Sequence, residues 1–175
     1  MTRSVVTVIG LMGAGKSKVG RAAAALLDRA FVDTDALIAR DVGMTVTEIF
    51  ARGGEPAFRA RERDAVAAAL AHDGAIVSVG GGAVLDHTNV ERMRAAGPVV
   101  WLYADPTTLA ARLRNSMLRG DRPLLVDTEP VAVLTQLLAQ RRPAYEAAAS
   151  AVLRTDGLAV DQSARLLAEW IRRNT

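Results

Sequence analysis

The chain contains no cysteine, few aromatic residues and no long apolar run. Without cysteine it can form neither disulfides nor thiolate metal sites, which suits a reducing compartment. Its 2 Trp, 2 Tyr and 3 Phe are too few for the stacking platforms that bind bases of single-stranded nucleic acid. No stretch approaches the roughly 18 apolar residues that cross a bilayer. The composition therefore predicts a cytoplasmic protein that binds neither nucleic acid nor membrane.

Lysine is also scarce, since Lys16 and Lys18 are the only lysines among 22 basic residues. The remaining basic side chains are arginines, which alternate with acids as in "RARERD" at 59–64, and the net charge is only +3. This pattern is typical of a solvated surface rather than a face for nucleic acid. A length of 175 residues allows one domain with a substantial core. We expect a single domain over 1–175 that acts as a monomer.

Short apolar runs rich in β-branched residues alternate with longer segments rich in Ala and Leu. This alternation favours an α/β fold in which helices cover both faces of a parallel sheet, a three-layer sandwich. The predicted strands cover residues 5–9, 31–33, 75–79, 99–103 and 151–155. The predicted helices cover residues 16–27, 35–42, 45–52, 55–71, 88–95, 106–114, 130–149 and 159–173. Segment 115–128 follows neither period, and it is interpreted as a mobile loop over a site or as a passive surface loop.

Residues 10–17, "GLMGAGKS", match G-x-x-x-x-G-K-[ST] between the first predicted strand and the first predicted helix. The glycines allow the backbone to wrap a phosphate closely, and side chains at Gly13 or Gly15 would crowd it. Lys16 supplies a compact charge for the β- and γ-phosphates, which the planar fork of arginine would not replace. Ser17 offers a hydroxyl to Mg²⁺. The stretch predicts a nucleoside triphosphate site, with an ordinary glycine-rich turn as the alternative.

Two carboxylates, Asp33 and Asp35, end the second predicted strand in "FVDTD". Residues i and i+2 of an extended chain point to the same side, so both are expected to face a cleft beyond the carboxyl ends of the strands. One could hold Mg²⁺ through water while the other accepts a proton from an attacking hydroxyl. The alternative is that the pair are helix caps, since Asp35 precedes "ALIARDV" and could serve as an N-cap. Asp105 is a rival metal ligand, but the helix-like "PTTLAARL" after it favours capping.

A run of three glycines at 80–82 and three arginines indicate an anionic acceptor. Three glycines in a row lose much chain entropy on folding, so close approach of a ligand explains them better than a bare turn. Arg59 and Arg141 could grip a carboxylate, and Arg122 in the 115–128 segment could neutralise a phosphoryl group in transfer. Each arginine, taken alone, could equally be a surface residue.

Together these motifs resemble the shikimate kinases, P-loop enzymes that phosphorylate the 3-hydroxyl of shikimate with ATP. The resemblance spans nearly the whole chain and rests on "GLMGAGKS" (10–17), "DTD" (33–35), "GEPAFR" (54–59), "GGGAV" (80–84), "RPLL" (122–125) and "RRPAY" (141–145). It implies a P-loop NTPase fold of the nucleoside-monophosphate-kinase type with a five-stranded parallel sheet. Residues 35–63 would form the shikimate-binding segment, and residues 112–125 would form a lid.

The resemblance also implies a role for each matching residue. The phosphates of ATP would lie on Gly13, Ala14, Gly15, Lys16, Ser17, Lys18 and Arg122. Mg²⁺ would be held by Ser17 and, through water, by Asp33. Shikimate would bind to Asp35, Arg59, Gly80, Gly81, Gly82 and Arg141. Catalysis would depend on Lys16, Asp35 as the base and Arg122.

Some positions depart from the family pattern, and two rival functions follow from the same motifs. Lys18 stands where threonine is common, and Arg112, Arg114 and Arg119 compete for the adenine contact. A different small-molecule kinase, acting on gluconate or a nucleoside monophosphate, would explain the P-loop but not the arginine pair with three glycines. A non-catalytic nucleotide-binding regulator would not need both aspartates of "DTD".

Overall fold

A computed structural model describes residues 4–118 and 129–175 of the chain. Five strands form one parallel sheet. They are β1 (Val6–Ile9), β2 (Phe31–Asp33), β3 (Ile76–Ser78), β4 (Val99–Tyr103) and β5 (Ala151–Arg154). The helices are α1 (Lys16–Leu27), α2 (Thr34–Val42), α3 (Val46–Leu70), α4 (His87–Ala96), α5 (Pro106–Leu118), α6 (Pro130–Ala148) and α7 (Val160–Asn174). The predicted five-stranded parallel sheet with flanking helices is confirmed.

The strand order β2-β3-β1-β4-β5 places helices on both faces of the sheet. From β1 the chain crosses to β2 in one direction, and from β3 to β4 and β5 it moves in the other. Right-handed crossovers in opposite directions put their helices on opposite faces, so α1 packs with α7 on one face while α5 packs with α6 on the other. All four residues of β1 are buried, as expected for a central strand covered on both sides.

Residues 35–63, the predicted acceptor segment, carry a small hydrophobic cluster of their own. Ile38 of α2 packs with Ile49 and Phe58 of α3 away from the main core around the sheet. Inside α3, Gly54 adopts φ 68° and ψ −176°, which interrupts the helix where the sequence predicts a break between two helices. Thr45 begins α3 with a capping box to Glu48. Beyond this kink, Arg59 and Glu62 of α3 lie beside the turn that follows β3.

Other boundaries differ from the predictions. Helix α5 continues to Leu118, so the first residues of the predicted 115–128 loop are helical. A short 3₁₀ turn over Ala83–Leu85 follows the glycine run, and the sequence did not indicate it. Residues 119–125 of the predicted lid lie outside the described residues. Among the helices of the described residues, none is both long and apolar enough to span a bilayer.

Candidate active site

The phosphate-binding motif forms the predicted strand–loop–helix unit at the carboxyl end of β1. Gly15 precedes the first residue of α1, Lys16, and adopts φ 90°. Gly13 adopts φ 82°, and a Cβ at this position would lie 3.0 Å from the Leu109 carbonyl oxygen and from Cγ of Leu113. Gly13 is therefore required by its backbone conformation and by the close approach of α5, in addition to the expected need for room around a phosphate.

Lys16 folds back along this loop. Its Nζ donates to the carbonyl oxygen of Leu11 at 3.4 Å, and the amide of Ala14 donates to the same oxygen at 3.1 Å. The side chains of Ser17 and Lys18 are exposed in the first turn of α1. The N-terminus of α1, the Lys16 ammonium and the Ser17 hydroxyl thus meet at one edge of the sheet, an arrangement suited to a bound polyphosphate.

The two aspartates of "DTD" have different environments. Asp33 ends β2 and caps α2, because its Oδ1 accepts hydrogen bonds from the amides of Asp35 at 3.1 Å and Ala36 at 3.3 Å. Asp35 lies in the first turn of α2. The expectation that both residues share an extended chain is wrong. The alternative that they are helix caps is confirmed for Asp33 and is wrong for Asp35. The helix begins one residue earlier than predicted and turns Asp35 toward β3.

The glycine run after β3 is close to side chains from α2 and α3. A Cβ at Gly80 would lie 2.5 Å from Oε1 of Glu62 and 3.1 Å from Oδ1 of Asp35. A Cβ at Gly82 would overlap the guanidinium of Arg59. The absence of side chains at these positions therefore leaves room for a carboxylate and a guanidinium, which explains the run without invoking a ligand. It also places Asp35 and Arg59 beside the same turn.

Arg59 is held by two acids on its own helix. Its Nη1 donates to Oε2 of Glu62 at 2.6 Å, and its Nε and Nη2 donate to Oε1 of Glu55 at 3.1 and 2.9 Å. Burial alone would lower the pKa of Arg59, but these bonds outweigh burial and raise it, so the guanidinium stays charged. Burial raises the pKa of the Glu62 carboxyl against the opposing effect of Arg59.

Glu62 is a component of the site that the sequence did not reveal. Its side chain is only 1 % exposed, and its Oε1 is buried without a hydrogen-bond partner among the described residues. Within "RARERD" it resembles one more charge on a solvated surface, and that interpretation is wrong for this residue. The only local signal is its i+3 spacing from Arg59, which permits an ion pair on one helix face.

Arg141 approaches the glycine run from α6. A Cβ at Gly81 would lie 3.6 Å from Nη1 of Arg141 and 3.6 Å from the hydroxyl of Tyr145. That hydroxyl donates to the carbonyl oxygen of Gly81 at 2.6 Å. The structure thus brings the predicted acceptor residues on α2, α3 and α6 to one turn, with Arg59 and Arg141 beside different glycines. Arg122 lies outside the described residues.

Asp105, the rival metal ligand, is occupied by neighbouring side chains. Its Oδ1 accepts a hydrogen bond from the Tyr103 hydroxyl at 2.8 Å, and its Oδ2 is paired with Arg154. The residue stands just before α5, and the amide of Leu109 donates to its carbonyl oxygen at 2.9 Å. Its backbone therefore starts the helix as predicted, while the carboxylate bonds to Tyr103 and Arg154. The backbone amide of Asp105 in turn donates a hydrogen bond to Oδ1 of Asp156 at 2.8 Å.

Among the arginines that compete for the adenine contact, Arg112 lies on α5 and reaches the turn after β5. Its Nη1 donates to Oγ1 of Thr155 at 3.0 Å, and its Nη2 donates to the Thr155 carbonyl oxygen at 2.5 Å. Arg112 therefore links α5 to the β5–α7 turn.

Comparison with known proteins shows which family combines these features. The family model described as shikimate kinase matches residues 12–172. A shikimate kinase of Symbiobacterium thermophilum is 48% identical over 86% of this chain and 86% of its own length, and one of Halorhodospira halophila is 40% identical over 98% and 95%. The shikimate kinase of Acinetobacter baumannii, solved in complex with shikimate, superposes with a TM-score of 0.91 at 33% identity, covering 98% of this chain and 94% of that one. The chain belongs to the shikimate kinase family.

Proposed function

We propose that this chain transfers the γ-phosphoryl group of ATP to the 3-hydroxyl of shikimate in the cleft between the P-loop and the glycine run at 80–82. As a member of the shikimate kinase family, it is an ATP-dependent phosphotransferase. The observation that carries the assignment of the site is the convergence of Asp35, Arg59 and Arg141 on that run. A carboxylate base beside two cationic side chains suits an acceptor that has both a hydroxyl and a carboxylate.

In the proposed acceptor half, Asp35 accepts the proton of the attacking hydroxyl, and Arg59 and Arg141 hold the acceptor's carboxylate. A guanidinium has five N–H donors, and the bonds of Arg59 to Glu55 and Glu62 use three of them. Donors on its terminal nitrogens thus remain for a ligand while the acids fix its orientation. Backbone groups of Gly80, Gly81 and Gly82 would contact the acceptor's hydroxyls.

In the proposed phosphate half, the backbone of Gly13–Lys18 surrounds the phosphates of ATP and Lys16 contacts the transferring group. Ser17 and Asp33 present the hard oxygen ligands that Mg²⁺ prefers. Asp33 pairs with Ser78, which pairs with Val8, so Asp33 lies two strands away from β1 at the carboxyl end of the sheet. In the proposed site it would hold the metal through water. Bound Mg²⁺ would neutralise charge on the phosphates.

Arg122 would complete this half of the site from the lid. In that role its guanidinium stabilises negative charge on the phosphoryl group during transfer. Asp35, Arg59 and Arg141 would act on the opposite side of this phosphoryl group, where the acceptor binds.

An acceptor panel tests this assignment. Wild-type protein with ATP and Mg²⁺ is assayed for ADP release with shikimate, gluconate or AMP. We expect release with shikimate, its loss on chelation of Mg²⁺, and only background with the other acceptors. Turnover of gluconate or AMP with shikimate inert would identify a different small-molecule kinase. Tight ATP binding with no turnover of any acceptor would instead identify a nucleotide-binding regulator.

Replacing Arg141 by alanine tests the acceptor half separately. We expect the KM for shikimate to rise about 10- to 100-fold, because the loss of a charged hydrogen bond leaves a carboxylate without its partner. The KM for ATP is expected to change less than about 2-fold. Arg142→Ala is the matched control, since this neighbour is half exposed and pairs with Glu146 at 3.8 Å. An effect confined to ATP would assign Arg141 to the nucleotide half.

We also propose that the protein works in the cytoplasm as a monomer. In the part of the chain that the structure describes, the residues of the proposed site converge within a single copy, which supports a monomer. Light scattering coupled to gel filtration at assay concentration should give the mass of one chain, 18.5 kDa. A stable larger species would contradict the monomer.

A further inference from the structure

Tyr145 is a buried residue of α6, and its side chain reaches the glycine run at 80–82. The residue has 0% of its surface exposed, and its hydroxyl donates to the Gly81 carbonyl oxygen at 2.6 Å. A buried phenolic hydroxyl needs such a partner, and the carbonyl oxygen it satisfies belongs to the central residue of the run. The contact joins α6 to the turn after β3, which are 64 residues apart in sequence.

The same hydroxyl lies on the side of the glycine run that Arg141 approaches. Tyr145 follows Arg141 by one helical turn, so the two side chains share a face of α6. Nη1 of Arg141 and the Tyr145 hydroxyl each lie 3.6 Å from the position of a Cβ at Gly81, so both side chains end beside the same glycine. Burial raises the pKa of Tyr145 to about 12 against the opposing charge of Arg141, so the hydroxyl keeps its proton at neutral pH. It can therefore donate to Gly81 while it accepts from Arg141.

The ring that carries this hydroxyl is fixed by packing. Tyr145 stacks on Trp101 of β4 with ring centroids 5.2 Å apart and an angle of 22° between the planes. Tyr103 contacts Trp101 edge-on, at 5.4 Å and 87°. The ring of Tyr145 is therefore packed against β4 as well as carried by α6, and both contacts fix the position of its hydroxyl.

We propose that Tyr145 is a positioning residue for the acceptor. Its hydroxyl fixes the Arg141 guanidinium relative to the turn at 80–82, so the acceptor's carboxylate and its hydroxyls meet their partners in one geometry. The inference rests on the proposed function, because it takes Arg141 and the glycine run as the acceptor site. Tyr145 acts through these groups and does not itself touch the reacting atoms.

Tyr145→Phe removes the hydroxyl and keeps the stacked ring. We expect the KM for shikimate to rise about 5- to 20-fold, since the Gly81 carbonyl and Arg141 lose a shared partner. The KM for ATP is expected to change less than about 2-fold and kcat less than about 3-fold. Tyr103→Phe is the matched control: it also removes a hydroxyl beside Trp101, one that donates to Asp105 at 2.8 Å. It should leave the KM for shikimate unchanged.

A double-mutant cycle separates positioning from simple loss of stability. If Tyr145 acts through Arg141, the Tyr145→Phe/Arg141→Ala protein should have a KM for shikimate within about 3-fold of that of Arg141→Ala alone. A lower melting temperature with unchanged KM values, or independent effects that multiply in the double variant, would overturn the inference. If wild-type protein fails to phosphorylate shikimate, the proposed function is wrong, and the positioning role of Tyr145 is wrong with it. If the wild type is active and Tyr145→Phe has an unchanged KM for shikimate, the proposed function stands and only the positioning role is wrong.

Discussion

Replacing Asp35 by asparagine is expected to lower kcat with shikimate at least about 10²-fold, while the Kd for ATP changes less than about 2-fold. Asparagine has nearly the size of aspartate, so it should fit the space beside Gly80, where a Cβ would lie 3.1 Å from the Asp35 carboxylate. It cannot accept the proton of the attacking hydroxyl. Steady-state kinetics and calorimetric titration with ATP measure the two quantities separately.

The matched control for this substitution lies on the same helix. Asp41→Asn also changes a carboxylate of α2 to an amide, but Asp41 is 65% exposed and pairs with Arg40 at the surface. It is expected to retain wild-type turnover. If Asp35→Asn also retained full turnover, the proton would have to leave by another route and the base assignment would be wrong. A large loss of ATP affinity in Asp35→Asn would place this carboxylate on the phosphate side.

Much of the fold follows from local patterns in the sequence. Short runs of β-branched residues predict the buried strands. The glycines and the lysine of residues 10–17 predict a strand–loop–helix unit. The break in α3 was predicted because Gly53 and Gly54 stand together, and Gly54 does adopt a conformation that interrupts the helix. Such signals work because they depend on a residue's own backbone preferences, whatever lies around it.

The start of α2 shows where such signals fail. "FVDTD" offers two carboxylates that could each cap a helix, and a shift of one residue decides which of them caps and which faces the glycine run. Asp33 takes the cap with bonds to two amides. Asp35 then reaches Gly80 from a helical turn, which the alternation of an extended strand could not predict. The alternation argument therefore applies to neither residue, although Asp35 does lie beside the glycine run.

Glu62 and Tyr145 show the limit of sequence alone. Neither belongs to a pattern that distinguishes a site residue from a surface acid or a core aromatic. Their contacts at the glycine run are with residues distant in sequence, Gly80 for Glu62 and Gly81 for Tyr145. Contacts of this kind depend on how α3 and α6 pack against the end of β3, and nothing in the local sequence specifies that packing.

Replacing Lys16 by arginine is expected to lower kcat/KM for ATP at least about 10²-fold even though the charge is kept. The Lys16 ammonium fits within a tight loop, 3.4 Å from the Leu11 carbonyl oxygen. α5 packs against the same loop, with Leu109 at 3.0 Å from the position of a Cβ at Gly13. A planar guanidinium is larger and needs in-plane partners, so it would miss the phosphate oxygens or displace the loop. Melting temperatures without ATP and in saturating ATP separate the two causes: lost folding lowers the first, and lost contact removes the increase that ATP produces.

Lys18→Arg is the matched control, because it makes the same exchange at the only other lysine in the chain. It tests whether the position of the lysine matters and not simply the loss of one lysine. The Lys18 side chain is exposed, and the proposal uses the residue's backbone amide, which the substitution leaves in place. Its kcat/KM for ATP should therefore remain within about 3-fold of wild type. Equal losses in both variants would mean that the loop tolerates no arginine anywhere in the first turn of α1. Full activity in Lys16→Arg would show that charge alone suffices, and that the scarcity of lysine in this chain carries no information about the phosphate site.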